Sequence, residues 1–257
     1  MEIVLICITA FLASGLTLFS GFGLGTILMP VFALFFPVDL AIALTAIVHF
    51  LNNLFKLALL GRYANKKVVI RFGIFSVAFA FAGAWCLQYL THLSSLSAYS
   101  FMGHEYVITP LNLIIAILIF LFSMFDLVPQ FSRISFHQKL LPLGGALSGF
   151  IGGLSGNQGA LRTAFLIKAN LSKESFIASG IMIACMTDIS RLTVYTGQII
   201  RISDQVDILL ISAATISAFI GAYIGNRLLK KVTIYSLQIL VGILLIVFSI
   251  ALGLGFI

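Results

Sequence analysis

Long, unbroken apolar runs dominate this chain and leave few folds open to it. Ile234–Ile257 contains no charged side chain, and Leu111–Phe125 is apolar except for Asn112 and Ser123. An α-helix needs about 20 such residues to cross the hydrocarbon core of a bilayer. The runs show no apolar/polar alternation of period two, which excludes a transmembrane barrel. Composition agrees: 61% of the 257 residues are hydrophobic and 9% are charged, against about 25% charged in soluble domains. So few charges cannot cover a water-facing surface, and a soluble fold of this content would aggregate. The expected fold is an all-α polytopic membrane protein.

Eight apolar regions follow one another, at 3–36, 38–60, 69–91, 107–128, 140–168, 174–196, 205–228 and 233–256. The polar stretch 129–139 separates a first repeat, 1–128, from a second, 140–257. A shift of 135 positions sets Ser20-Gly21-Phe22-Gly23 over Ser155-Gly156-Asn157-Gln158, Asp39 over Glu174, Asn53 over Asp188 and Lys56 over Arg191. Phe81–Trp85 resembles Phe219–Tyr223 at a slightly different shift. Matched interruptions in two halves are the sequence pointer to a transporter binding site.

Basic residues set the orientation. Arg62, Lys66, Lys67 and Arg71 put the connection after the second region in the cytoplasm. The next connection, His92–Tyr106, has no Lys or Arg and is expected outside. Arg133 and Lys139 return 129–139 to the cytoplasm, as Arg227, Lys230 and Lys231 do for the end of the seventh region. The third and seventh regions then run in opposite directions, so the repeats are inverted. An even number of crossings must separate 129–139 from Arg227, so one region enters and leaves on the same side. The fifth is the candidate, because Gly152–Gly159 breaks it and Ala160–Ile167 is too short to cross. The first has the same design around Ser20–Gly25. Two broken segments, re-entrant or kinked, and six full crossings are expected.

The breaks are where chemistry is expected. An interrupted helix frees backbone N–H groups that attract anions, and such backbone survives at membrane depth only against protein or a cavity. The alternative role for the glycines is close helix packing. Ser20, Gly21 and Gly23 at the first break, with Ser155, Gly156, Asn157 and Gln158 at the second, form the candidate anion site. Arg162 follows the second break. It either neutralises a bound anion through a bidentate contact, or snorkels, or pairs with Asp188. Asn52, Asn53 and Lys56 correspond to Thr187, Asp188 and Arg191 and extend the site. Asn52 and Lys56 share a helix face, as do Thr187 and Arg191. Asp188 is either a proton carrier or a structural partner for Arg162 or Arg191. His49 is a packed, hydrogen-bonded residue or a proton relay. Trp85 and the tyrosines read as interfacial anchors.

Other functions find little support. Cys7, Cys86 and Cys185 are isolated, so neither a metal site nor a disulfide framework is expected. No cofactor motif is present. The net charge of +7 sits in short loops and does not point to nucleic acid. The Ile3–Phe19 run lacks a basic start and a cleavage site, and reads as part of the fold rather than as a signal peptide. His49, His92, His104 and His137 fall in four segments, and no nucleophile–base motif appears, which disfavours a membrane-embedded enzyme. An anion channel or a membrane sensor is the alternative to a transporter. The expected partners are a small anion and the lipid bilayer.

At its breaks the chain resembles the TauE/SafE family of sulfite-exporter-like permeases. The residues that carry the resemblance are SGFGLGTILMPVFALFFP (Ser20–Pro37), GGLSGNQGALRTAFLIK (Gly152–Lys168) and LSKESFIASGIMIACMTDISRLTVY (Leu171–Tyr195). It implies a twofold-repeated permease for small, mostly sulfur-containing anions such as sulfite or organosulfonates, usually in a bacterial inner membrane. The second break departs from the common pattern, with Phe165 at the place matching Pro30.

Reporter tags inserted in Tyr63–Lys67 and in Leu229–Lys231 should label from the same side of the membrane. Labelling from opposite sides would overturn the inverted topology.

Overall fold

The computed structural model describes residues 2–20, 23–128, 135–201, 207–228 and 234–257. Among the described residues, ten α-helices carry the fold: α1 Glu2–Ser20, α2 Leu24–Ala33, α3 Val38–Leu60, α4 Lys66–Thr91, α5 Pro110–Leu127, α6 Leu141–Ser155, α7 Gly159–Leu166, α8 Lys173–Arg201, α9 Ile208–Leu228 and α10 Ile234–Gly253. Local signals explain their ends. The Asn65 side chain caps α4 by accepting from Val68 N, and Thr109 caps α5 by accepting from Asn112 N, with Pro110 at the first helical position. Gly156 ends α6 in the left-handed region at φ 78°, a conformation that glycine adopts without penalty.

The molecule is a multi-pass membrane protein. Among the described residues, four helical stretches are long and apolar enough to cross a bilayer: Val38–Tyr63, Lys66–Thr91, Lys173–Gly197 and Ile208–Gly225. The shorter apolar stretches Pro110–Phe125 and Ile239–Gly253 lie in α5 and α10. The polarity of a water-soluble core is reversed. Ile70, Ile74, Phe81, Trp85 and Tyr89 cover the outer face of α4, while His49, Asn52, Asn53, Lys56, Thr187, Asp188 and Arg191 are buried. Lipid accepts the first set, and the second must find partners inside the protein.

Both expected breaks occur. α1 and α2 are separate helices that pack against each other, and so are α6 and α7. The second pair is a hairpin whose ends lie side by side. Gln138 Nε2 donates to Lys168 O at 2.9 Å, Phe136 N donates to Ala164 O at 3.2 Å, and the Phe136 and Phe165 rings stack at 4.2 Å. Phe165, which stands where the first repeat has Pro30, therefore closes the hairpin base.

The helices pair in an exchanged pattern. α4 of the first half lies along α6 of the second, and α9 of the second lies along α1 of the first. Corresponding helices meet each other, α3 with α8 and α5 with α10. They run antiparallel: Asn65 contacts Ser179 while His49 contacts Asp188, and Leu127 lies at Gly242 while Ala116 lies at Gly253.

Glycine makes the exchanged pairs close. A methyl group on Gly145, Gly149 or Gly153 of α6 would run into the carbonyl oxygens of Phe72, Ser76 and Ala80 of α4. Gly83 bears on the Phe150 carbonyl in the same way, and its counterpart Gly221 bears on the Phe11 carbonyl of α1. Such backbone approach is how helices associate tightly in lipid, where apolar side chains gain nothing from leaving the solvent.

One element was expected only as a polar connection. Ser97–Phe101 (β1) and His104–Ile108 (β2) form an antiparallel hairpin whose turn, Met102-Gly103, has both residues at positive φ, as a two-residue primed turn requires. Tyr99 Oη donates to Leu254 O at 2.7 Å and Tyr106 meets the Phe256 ring edge-on, which ties the hairpin to the segment after α10.

Gly149→Ala should destabilise the protein in detergent by about 1–3 kcal/mol through overpacking. Gly197→Ala, where an added Cβ meets nothing within 4 Å, should stay within about 1 kcal/mol of the parent. Thermal unfolding followed by fluorescence distinguishes the two, and equal stabilities would refute the packing role.

Candidate functional site

The two breaks meet. A Cβ on Gly25, in the first turn of α2, would sit 3.2 Å from Gly156 O and 3.5 Å from Thr45 Cγ2. Beside this crossing, α3 and α8 bring their polar residues together. His49 Nδ1 donates to Asp188 Oδ2 at 2.7 Å, and Arg191 Nε donates to Asp188 Oδ1 at 3.0 Å. Arg191 Nη2 lies 2.8 Å from the same oxygen, and Asn53 Nδ2 donates to Oδ2 at 3.5 Å. One carboxylate thus serves two helices. It is fully buried, as is Arg191. Asn53 and Asp188, which the sequence alignment of the two halves sets over one another, touch each other.

The network reaches both breaks. Arg191 Nη1 lies 3.5 Å from Gly152 O, and a Cβ on Gly156 would sit 3.0 Å from it. At the first break, a Cβ on Gly23 would sit 3.6 Å from His49 Nε2. Asp188 therefore answers the alternative left open by the sequence: its ion-pair partners are Arg191 and His49, not Arg162.

Lys56 is differently placed. It is 4% exposed, and Nζ donates to Ser14 O at 3.3 Å. The Asn52 carboxamide satisfies all its neighbours when its oxygen faces Lys56 Nζ at 3.1 Å and its nitrogen faces Ser14 Oγ and Ala218 O. The Phe55 and Phe219 rings, stacked at 4.8 Å, hold α3 to α9 beside it. Among the described residues no carboxylate pairs with Lys56 or with Arg162. Arg162 Nη1 is a buried donor without a partner.

These two cations line one cavity of about 120 Å³, together with Thr17, Gly23, His49 and Asn53. The cavity runs from the middle of α3 to Lys173 and Phe176 at the start of α8, the end of the bundle that carries the Arg62–Lys67 connection. Several predicted residues lie behind it. Thr187 Oγ1 bonds Ser76 Oγ at 2.8 Å, Ser155 Oγ donates to Ile151 O at 3.0 Å, and Asn52 and Arg191 are engaged as described. Asn157 and Gln158 are buried, and Asn157 Oδ1 and both ends of the Gln158 carboxamide have no partner. Ser20 ends α1, with its side chain outside the described set, and Gly21 lies outside the described residues.

Three contributors were not foreseen. Ser14 and Lys173 gave no signal beyond being polar in or beside an apolar run. Tyr195, grouped with the interfacial tyrosines, is instead fully buried and donates to Gly153 O. It sits one helical turn from Arg191 on the same face of α8, a periodicity that could have found it. Trp85 and Tyr89 are outward-facing, as an anchor should be. Of the cysteines, Cys185 is buried and the other two are half-buried.

Removing one partner of a buried ion pair leaves an uncompensated charge. Asp188→Ala should therefore cost about 3–5 kcal/mol of stability, and Asp188→Ala with Arg191→Met should cost clearly less than the two single changes summed. Thermal unfolding of the four proteins in detergent tests this, and additive losses would refute the pairing.

No curated protein matches the chain. The family model described as sulfite exporter TauE/SafE matches residues 6–252. Two helix breaks meeting beside a cavity lined by unpaired cations, in a multi-pass helical membrane protein, accompany that match: the chain belongs to the TauE/SafE sulfite exporter family.

Proposed function

We propose that this protein is a secondary transporter of a small, sulfur-containing anion such as sulfite or an organosulfonate, acting in the inner membrane of a cell. One observation carries the reading. Lys56 and Arg162 come from different helices into one cavity, and neither has a carboxylate partner among the described residues. A buried cation in the membrane is unfavourable by about 2.5–3.5 kcal/mol or more, so an unpaired pair of them marks a place for negative charge. Family membership supports transport, and the size of the cavity supports a small cargo, since sites for drug-sized ligands run to roughly 300–1,000 Å³.

In this reading Lys56 and Arg162 bind the anion, with Asn53 and the first turn of α2 contributing donors. Asn52, held by Ser14 and α9, orients the Lys56 ammonium. The Ser155–Gln158 break, with its partnerless carboxamide at Gln158, is the neighbouring station that cargo meets on the way through. The antiparallel pairing of α3 with α8 and of α5 with α10 supports two inverted repeats, 1–128 and 140–257, joined by a cytoplasmic 129–139. With that orientation the cavity opens to the cytoplasm; the inside-negative potential drives an uncoupled anion outward by about 2.3 kcal/mol per net charge per 100 mV, and inward movement requires a coupled ion.

Liposomes containing the protein should show saturable uptake and counterflow of labelled sulfite, whereas a channel would show neither. Lys56→Met and Arg162→Ala should each reduce counterflow at least tenfold, roughly the loss of one charge-assisted contact, and should remain monodisperse in detergent. Undiminished counterflow in both variants would overturn the site.

A further inference from the structure

We propose that the cavity takes a second, co-transported species, a proton, and that His49 is the group that carries it. This rests on the transport reading above and adds the coupling ion to it.

The two ring nitrogens of His49 face different surroundings. His49 Nδ1 faces Asp188 Oδ2 at 2.7 Å, so the neutral ring keeps its hydrogen on Nδ1. That leaves Nε2 as the basic atom. Nε2 is on the side of Gly23 and the cavity, where the missing Cβ keeps its edge accessible. The Asn53 amide nitrogen lies 3.2 and 3.3 Å from the two ring nitrogens. The Asn53 amide is thus shared between the two nitrogens rather than committed to Nε2. A proton arriving through the cavity meets Nε2 of a ring held in one tautomer by a buried carboxylate, with Lys56 the other basic side chain close to it on α3.

The surrounding charges decide what that proton does. From α8, Asp188 and Arg191 face the ring; from α7, Arg162 does; from its own helix, Lys56 lies two turns along. Asp188 is already matched by Arg191, so in the empty cavity a proton on His49 adds positive charge to a space already lined by Lys56, Arg162 and, at its far end, Lys173 of α8. An anion between them removes that obstacle. Cargo and proton consequently favour each other's binding, and by linkage the effect is reciprocal. Ligands that bind together to the same conformation move in the same direction, which makes the cycle a proton–anion symport.

The network also tells the breaks whether the proton is present. Protonated His49 draws Asp188 toward α3 and away from Arg191, and Arg191 is the side chain that reaches Gly152 O and abuts Gly156 at the second break. The His49 ring abuts Gly23 at the first break. Loading the proton thus alters the contacts of both interruptions at once.

The test uses the full chain in liposomes clamped at zero voltage with valinomycin and potassium, with labelled sulfite as the probe. A gradient from about pH 7 outside to about pH 8 inside should drive sulfite accumulation in the wild type at least fivefold above His49→Gln, a coupling of the usual size. His49→Gln should still exchange labelled for unlabelled sulfite at equal pH, at a reduced rate. His49→Arg, permanently charged, should likewise exchange without responding to the gradient. Gradient-driven accumulation that survives in both variants overturns the proton site while leaving the transport reading intact. Absence of sulfite counterflow in the wild type overturns the transport reading, and this proposal with it.

Discussion

A single buried carboxylate organises the centre of this protein. Asp188 is the one acidic group that the described residues place against the cations of the core, and it is shared between His49 of α3 and Arg191 of α8. In hydrocarbon the alternative to such sharing is an isolated charge, whose desolvation no packing could offset. The crossing of α3 and α8 is thus fixed by electrostatics rather than by fit. Everything near it inherits that constraint: the breaks touch Arg191 and His49, and the cavity lies beside them. Lys56 and Arg162 line that cavity without an ion-pair contact to Asp188.

Around this centre the backbone is held by a different force. Glycine ridges bring α6 against α4 and α9 against α1 until carbonyls meet Cα atoms. Close contact of this kind is rigid, because sliding by one residue would bring a side chain into a space that holds none. The broken helices are therefore braced along their first limbs, and their second limbs, α2 and α7, reach the crossing with only short helical turns of their own. A long limb joined at a break to a short one suits a segment that must change its contacts while remaining inside the membrane.

Much of this was legible in the sequence, for identifiable reasons. Transmembrane character follows from the scarcity of charge, and the breaks follow from glycine and polar residues inside apolar runs. The correspondence of Asn53 with Asp188, visible as an alignment, became a physical contact. What stayed hidden was long-range. His49 and Asp188 are 139 positions apart, and nothing local selects Asp188's partners from among Arg162, Arg191 and His49. Tyr195 was misplaced because a tyrosine near a helix end commonly faces headgroups, and only the three-dimensional course of α6 brings the Gly153 carbonyl to it. The β-hairpin was missed because its strands are short and Gly103 is the only turn residue in a stretch otherwise read as polar linker.

The exchanged pairing of α1 with α9 reaches beyond transport into biogenesis. During synthesis α1 leaves the ribosome well before its partner, because the groove that receives it belongs to a helix that begins at Ile208. Until then the face of α1 that carries Phe11 and Gly15 lacks the α9 surface it packs against, and must be accommodated by lipid or by the insertion machinery. α6 meets no such delay, because α4 is already in place when it emerges. The two exchanged pairs thus close at different times: α6 finds α4 at once, whereas α1 is paired only after α9 has been made.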